Sequence, residues 1–289
     1  MRQLTVALAV LIVGTSEARA FDCPNTGDAC PVSSSQDQWN FNLPLFGLFS
    51  DNVVMGQVDL LFGKTLAACV NGDLQFDAFQ IRDKQARDAV VCLGPGNDTV
   101  KVLAAGETFS CNLLGLPIIL RAWQYNGFEL ALYGQSGADT ITGADGKDQI
   151  CGGTGNDKLF GRNEVNEING GPGNDDITGG PDIDYLFGAD GDDIIIDTGT
   201  GGFRNVCAIS PFPILPSRVE GGSGNDCLQI PTDTEPGWCY GQEEACGAIY
   251  GNVCHGGLFC AAGTDRINNN RTIYGAECEV RTTNRPCTR

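Results

Sequence analysis

Apolar side chains recur every nine residues through the middle of this chain, with polar residues on either side. From Gly134 to Ile196 the sequence forms seven nine-residue units without a gap, and two further units begin at Leu93 and Gly221. Position eight is aliphatic in all nine units. One inward side chain between two outward ones predicts a very short β-strand at positions seven to nine. The repeat therefore predicts stacked turns around one shared core.

Glycine and aspartate occupy the polar part of each unit. Position one is Gly in eight of the nine units, position four is Gly in seven, and position six is Asp in eight. Glycine allows a tight turn and close approach of the backbone. Stacked turns bring the position-six carboxylates together, which costs free energy unless a cation lies between them. A hard divalent cation with oxygen ligands, Ca²⁺, fits this pattern best.

Units such as GGTGNDKLF (from Gly152) and GGPGNDDIT (from Gly170) resemble the RTX (hemolysin-type) calcium-binding nonapeptide, G-G-x-G-x-D-x-U-x. The resemblance covers residues 134–196 and the units at 93–101 and 221–229. It implies an all-β fold containing a right-handed parallel β-roll with two nonapeptides in each turn. It also implies Ca²⁺ bound between neighbouring turns on the same side of the roll, by position-six carboxylates and backbone carbonyls.

The resemblance assigns candidate metal ligands in two groups. The acidic candidates are the position-six aspartates and one aspartate at position three: Asp98, Asp139, Asp148, Asp157, Asp175, Asp184, Asp193, Asp226 and Asp190. The candidates within the Gly-rich loops are Gly137, Gly152, Gly153, Gly155, Gly170, Gly171, Gly173 and Gly191.

The two sides of such a roll are predicted to differ. If alternate units lie on opposite sides, one side takes the loops that begin at Gly134, Gly152, Gly170 and Gly188, and all four keep the position-four Gly and the position-six Asp. On the other side the loop from Gly161 reads GRNEVN and lacks both. We expect three well-formed calcium sites on the first side and weak or no binding around Gly161.

Charge favours a metal ligand and disfavours nucleic acid. The chain has 36 acidic residues against 18 Lys and Arg, a net charge of −18. Residues 134–196 contain 11 Asp and 2 Glu against 2 Lys and 1 Arg, so more than half of that charge lies in the repeats. Without a cation this segment repels itself, and cation binding would supply folding free energy. Nucleic-acid binding requires a basic patch.

The N-terminus and the cysteines indicate export. Arg2, the apolar stretch Leu4–Val13 and Ala18-Arg19-Ala20 have the order of a cleavable signal peptide over residues 1–20. That stretch is too short to span a bilayer, and no later one is long enough. Fourteen cysteines fit an oxidising compartment. We expect a secreted or extracellular protein, with the cell surface and the periplasm as alternatives.

The flanks divide the chain into four predicted regions. These are the signal peptide (1–20), an N-terminal β-rich cap (21–133), the roll (134–230) with an insertion at 197–220, and a Cys-rich C-terminal region (231–289). Short apolar runs predict strands in the cap, and one charged segment predicts a helix at Phe79–Ala89. The strand candidates are Val53–Leu61, Ala89–Cys92, Leu113–Leu120 and Phe128–Tyr133. Six cysteines after residue 230 predict a disulfide-stapled unit, which leaves Cys151, Cys207 and Cys227 to pair with the five N-terminal cysteines.

No motif of a protease or lipase is present. The single histidine cannot form H-E-x-x-H, and no G-x-S-x-G elbow occurs. We expect a non-enzymatic calcium-binding protein with a structural or surface and matrix role. The alternative is a secreted carbohydrate-acting enzyme or polysaccharide-binding module, because a glycosidase or lyase based on carboxylates needs no histidine. Calcium ions are the expected partner, and polysaccharide and cell-surface components are further candidates.

Overall fold

The computed structural model describes ten stretches of the chain: residues 37–40, 50–60, 63–76, 88–122, 129–199, 218–229, 257–259, 266–268, 280–281 and 287. These stretches form 21 strands and no helix, so none of them contains a helix that could cross a membrane. The expected signal peptide lies outside the described residues. Most of the helix predicted at Phe79–Ala89 also lies outside them, but its last two residues form strand instead, because Ala89 pairs with Leu130 in a parallel ladder.

The strands, numbered in chain order, form two sheets. The first sheet is parallel throughout, and its members in spatial order are β1 (Asp37–Asn40), β5 (Asp88–Pro95), β9 (Glu129–Ser136), β11 (Asp148–Thr154), β13 (Asn166–Pro172), β15 (Asp184–Asp190), β17 (Arg218–Ser223) and β19 (Gly257–Phe259).

The second sheet has 13 strands. Its parallel part comprises β21 (Val280–Arg281), β20 (Arg266–Asn268), β18 (Cys227–Gln229), β16 (Ile194–Ile196), β14 (Asp176–Thr178), β12 (Lys158–Phe160), β10 (Thr140–Thr142), β6 (Thr99–Val102) and β2 (Asn52–Leu60). Its remaining members are β3 (Gly63–Val70), β4 (Asp73–Phe76), β7 (Thr108–Leu113) and β8 (Leu116–Arg121).

Consecutive strands from β9 to β18 alternate between the two sheets, so the chain winds as a parallel β-roll. The pairing register advances by 18 residues from turn to turn, as between Ile150 and Ile168 in the first sheet and between Leu159 and Ile177 in the second. Two nonapeptides therefore make one turn. The all-β fold and the roll are confirmed.

Position eight forms the core between the two sheets. Its side chains are at most 1% exposed and belong to one apolar cluster: Val100, Ile141, Ile150, Leu159, Ile168, Ile177, Leu186, Ile195 and Leu228. The same columns continue through Val53, Val91, Leu132 and Val219, which lie outside the recognisable units. Ile168 occupies this core although its own loop has lost the calcium-binding pattern, so packing and loop chemistry are separable.

A small, mostly antiparallel unit caps the N-terminal part of the second sheet. Strand β2 pairs with β3, β3 with β4, β4 with β7 and β7 with β8, and Gln57 of β2 pairs back to Arg121 of β8. The five strands thereby close on themselves around a second apolar cluster that contains Val58 and Leu120. The described part of the predicted cap region is rich in strands. The run at Val53–Leu61 contributes β2, whereas the run at Leu113–Leu120 is not one strand, because it ends β7, turns at Leu114 and Gly115 and continues in β8.

Two disulfides have both of their cysteines among the described residues, and Cys92 and Cys151 are disulfide-bonded as well. Cys69 bonds to Cys111 within the cap, as pairing among the N-terminal cysteines allows. Cys227 bonds to Cys287, so the predictions that Cys227 pairs with an N-terminal cysteine and that Cys287 pairs within the C-terminal group are wrong. The reason is that Cys287 lies beside β18, where its backbone N–H also donates to the side chain of Gln229.

Substitutions of two adjacent side chains of β12 should differ strongly in their effect on the free energy of unfolding. Leu159→Ala removes a fully buried side chain and should lower the free energy of unfolding by about 2–5 kcal/mol. Lys158→Ala alters an exposed neighbour and should change it by less than about 0.5 kcal/mol. Urea unfolding in the presence of calcium measures both. Equal losses would contradict the assignment of position eight to the core.

Candidate metal centre

The polar loops separate into two rows at opposite edges of the roll. The first side comprises the loops that run from the first sheet to the second: 93–98, 134–139, 152–157, 170–175, 188–193 and 221–226. The second side comprises the loops that run back: 143–148, 161–166 and 179–184. The isolated units at Leu93 and Gly221 join the first side because Gly94 pairs with Gln135 and Gly222 pairs with Ala189.

The position-six aspartates of the first side form a continuous hydrogen-bonded ladder. The backbone N–H of each one donates to Oδ1 of the aspartate in the following turn, at 2.7–2.9 Å. The ladder runs Asp51, Asp98, Asp139, Asp157, Asp175, Asp193 and Asp226. All seven are at most 3% exposed. One oxygen of each receiving carboxylate therefore fixes the stacking of the turns and leaves the other for a different partner.

The second carboxylate oxygen points back into its own loop. Oδ2 of Asp98, Asp139 and Asp157 is buried and accepts no hydrogen bond. A Cβ added to Gly134 would collide with Oδ2 of Asp139 and with the carbonyl oxygen of Gly152 in the next turn. A carboxylate oxygen and a carbonyl oxygen thus face the same small space beside the position-one glycines from Gly134 to Gly188 on the first side. A buried carboxylate oxygen without a hydrogen-bond partner is energetically unfavourable, so a positive charge in this space would be stabilising.

Left-handed backbone at two positions brings the loops this close together. Position four has a positive φ in every first-side loop, from 137° at Gly155 and Gly191 to 155° at Gly96. Side chains rarely adopt such angles, which explains the glycine. Position two is also positive, and Gln135 (79°) and Ala189 (83°) adopt it without being glycine.

The first-side oxygens fit a calcium ion. Ca²⁺ accepts a mixed shell of carboxylate and carbonyl oxygens, and its ligand geometry is flexible. Within the described stretches, no three His, Cys, Asp or Glu side chains converge on one point. An ion here must therefore draw on backbone carbonyls as well as on the aspartates, and this is the donor set that calcium prefers over zinc.

Burial in the ladder disfavours ionised carboxyl groups when no metal is bound. Desolvation raises the pKa of Asp139 to about 7, and the neighbouring charges of Asp157 and Asp98 act in the same direction. Desolvation also raises the pKa values of Asp98 and Asp157 to about 6, although the hydrogen bonds that these carboxylates accept from backbone N–H groups lower them. A proton and a metal ion therefore compete for the same site.

On the second side a backbone N–H of the same loop donates to each position-six carboxylate, although Oδ1 of Asp148 is buried without a hydrogen-bond partner. Oδ2 of Asp148 accepts the backbone N–H of Ala144 at 2.6 Å, and Oδ2 of Asp184 accepts that of Gly180 at 2.5 Å. Neither Ala144 nor Gly180 has a positive φ. Desolvation still raises the pKa of Asp148 to about 8 and that of Asp184 to about 6.

The structure therefore divides the sequence-predicted ligands between two environments. Six of the eight position-six aspartates lie in the first-side ladder, whereas Asp148 and Asp184 lie on the second side. Asp190 lies in a first-side loop with its side chain exposed, and its carbonyl accepts the N–H of Gly173 at 2.7 Å. The candidate glycines occupy positions one, two and four of first-side loops: Gly137, Gly152, Gly153, Gly155, Gly170, Gly171, Gly173 and Gly191.

Two features of the first side escape the repeat pattern. Asp51 begins the ladder. The only sequence pattern that could have identified it is an isolated D-x-V before a strand, in which Val53 lies in register with Val100. Position five forms an outer ladder in the opposite direction, in which the N–H of Asn174 donates to Oδ1 of Asn156 at 2.8 Å and the N–H of Asp192 donates to Oδ1 of Asn174 at 2.9 Å. The frequent Asn before the position-six Asp was the available signal.

Comparison with known proteins identifies the same repeats. A family model described as the RTX calcium-binding nonapeptide repeat (4 copies) matches residues 131–159 and 160–196. No curated protein and no solved structure matches the chain. The match begins within β9 and ends with β16, where the first-side loops are stacked without interruption. Residues 131–196 of this chain are RTX calcium-binding nonapeptide repeats.

Proposed function

We propose that this is an exported, non-enzymatic calcium-binding protein whose roll binds several Ca²⁺ ions along its first side and serves a structural or surface and matrix role. The observation that carries the proposal is the buried Oδ2 atom of Asp98, Asp139 and Asp157, which accepts no hydrogen bond and lies in a row of Gly-rich loops. The six described first-side loops enclose five gaps. Each gap is a candidate calcium site, so there are two more candidate sites than the three predicted from the uninterrupted units.

Export and the absence of catalysis rest on separate features. The disulfides Cys69–Cys111 and Cys227–Cys287 support an oxidising compartment, where the predicted signal peptide would deliver the chain. The buried aspartates of the described residues belong to the loops of the roll, where they hold backbone groups, instead of forming an opposed pair across a cleft. Extracellular calcium modules bind at roughly 10⁻⁴–10⁻³ M, and we expect that range here.

The two-sided arrangement is tested by comparing first-side and second-side variants in a calcium titration. Calorimetry and circular dichroism of the oxidised protein should show several ions bound with a gain of β-structure, reversed by EDTA. Asp157→Ala and Asp175→Ala each remove a first-side carboxylate and should weaken binding by more than about tenfold, the lower end of the loss caused by second-shell changes at metal sites.

Asn166→Ala is the matched control on the second side, and it should leave calcium affinity nearly unchanged. Equal losses in all three variants would contradict the two-sided arrangement. An absence of binding by the unmodified protein up to roughly 10 mM, well above the range for extracellular modules, would contradict the proposed function itself.

The raised pKa values predict how pH affects the calcium-free roll. Asp139 titrates at about 7 when folded, against an ordinary value of 3.8, so the folded state binds more protons than the unfolded chain between these values. This contribution to stability is fully present below about pH 4 and is lost as pH rises through 6 to 7. In EDTA, Tm should therefore fall between pH 5 and pH 8.

Asp139→Asn keeps the Oδ1 acceptor but does not titrate, so it should reduce the slope of Tm against pH. Calcium should stabilise the unmodified protein most near pH 8, above the pKa of about 7 of Asp139. A calcium-free Tm that stays constant or rises from pH 5 to pH 8 would show that the aspartates are not buried together as described.

A further inference from the structure

The loop 161–166 has the backbone of a calcium-binding loop although it lies on the second side. Arg162 at position two and Glu164 at position four both have positive φ, 75° and 66°, as positions two and four have throughout the first side. The other second-side loops show no positive φ at these positions. Neither Arg nor Glu favours such angles, so the conformation is held by the stacking of the turns.

Asn166 lies where a first-side aspartate lies. Its N–H donates to Oδ1 of Asp184 at 2.9 Å, and its own Oδ1 accepts the N–H of Asp148 at 3.2 Å, which continues the ladder. A Cβ added to Gly161 would meet Nδ2 of Asn166 at 2.6 Å, and one added to Gly152 would meet Oδ2 of Asp157 in the same way. The amide nitrogen thus occupies the place of the carboxylate oxygen that has no partner on the first side.

The amide nitrogen changes what that space requires. Nδ2 of Asn166 donates to the carbonyl oxygens of Glu164 at 3.2 Å and Arg162 at 3.4 Å, which are the oxygens of its own loop. On the first side the equivalent atom is a carboxylate oxygen that lies beside a carbonyl oxygen. Both atoms are hydrogen-bond acceptors, so a cation is needed between them. Here a donor takes the place of the carboxylate oxygen and points at two carbonyls of its own loop, so the amide makes its hydrogen bonds without a metal.

Arg162 uses the same loop to hold the cap. Its guanidinium donates to the carbonyl oxygen of Val102 at 2.7 Å and lies 3.9 Å from a carboxylate oxygen of Glu107. Asp145, in the preceding second-side loop, accepts the N–H of Ala105 at 2.7 Å and the side-chain amide of Asn163 at 2.9 Å. The segment 102–107 leads into the β7–β8 hairpin, so this row of loops fixes the cap against the roll.

We propose that Asn166 takes the place of a calcium ion and makes loop 161–166 a calcium-independent joint between the roll and its cap. This inference rests on the proposed function, because it identifies the residue that decides which loops require the ion. It predicts that an Asp at this position creates a calcium requirement and that an Asn on the first side removes one.

The test exchanges the two residues in the full-length oxidised protein. Asn166→Asp replaces the donor by an acceptor facing two carbonyls, so Tm in EDTA should fall by roughly 3–10 °C. Calcium should restore Tm, and calorimetry should count one additional ion. Asp157→Asn should bind one ion fewer, and its Tm in EDTA should be equal to or higher than that of the unmodified protein.

The outcomes separate this proposal from the proposed function. If Asn166→Asp keeps the EDTA Tm and the ion count of the unmodified protein, Asn166 does not stand in for calcium. If Asp157→Asn lowers Tm in EDTA, an amide cannot replace the ion in such a loop, which also overturns the inference. If the unmodified protein binds no calcium, the proposed function is refuted directly, and the calcium-free Tm values then show only whether the amide of Asn166 completes the hydrogen bonds of its loop.

Discussion

A hydrogen bond that repeats in every turn determines both the stacking of the roll and the chemistry of its edge. The backbone N–H of a position-six residue donates this bond to the carboxylate of the next turn. On the first side it repeats from Asp51 to Asp226. Each bond uses one carboxylate oxygen and holds the other in a dry space lined by carbonyls. Desolvation and neighbouring charge then make an ionised carboxylate unfavourable unless a cation is present.

The core beneath this edge does not depend on the sequence of the adjoining loop. The position-eight side chains pack in two columns whether the adjoining loop is GGTGND or GRNEVN, as Leu159 and Ile168 show. Loop sequences can therefore change while the solenoid continues. On the second side the N–H groups of Ala144 and Gly180 and the amide of Asn166 supply hydrogen-bond donors within the loops themselves. On the proposal made above, calcium dependence is a property of individual loops.

The repeat pattern predicted the roll, its core and the division of the loops between a first and a second side. It could do so because a period of nine with an invariant aliphatic position has few structural solutions. The cap was predicted only as β-rich, since the pairing of β2 with β3 and β8 joins residues far apart in sequence and has no local signal. Asp51 was missed because one D-x-V carries no periodicity. The role of Asn166 required coordinates, because sequence alone reads it as the loss of a ligand and cannot show that its amide meets the loop carbonyls.

The most direct test of the account is a crystal structure of the oxidised protein grown with calcium, with anomalous data that locate the ions. The account predicts a single file of ions between the first-side loops, each beside an Oδ2 atom such as that of Asp139 or Asp157, and no ion beside Asn166. Ions distributed equally along both sides, or a first side without ions at saturating calcium, would contradict it.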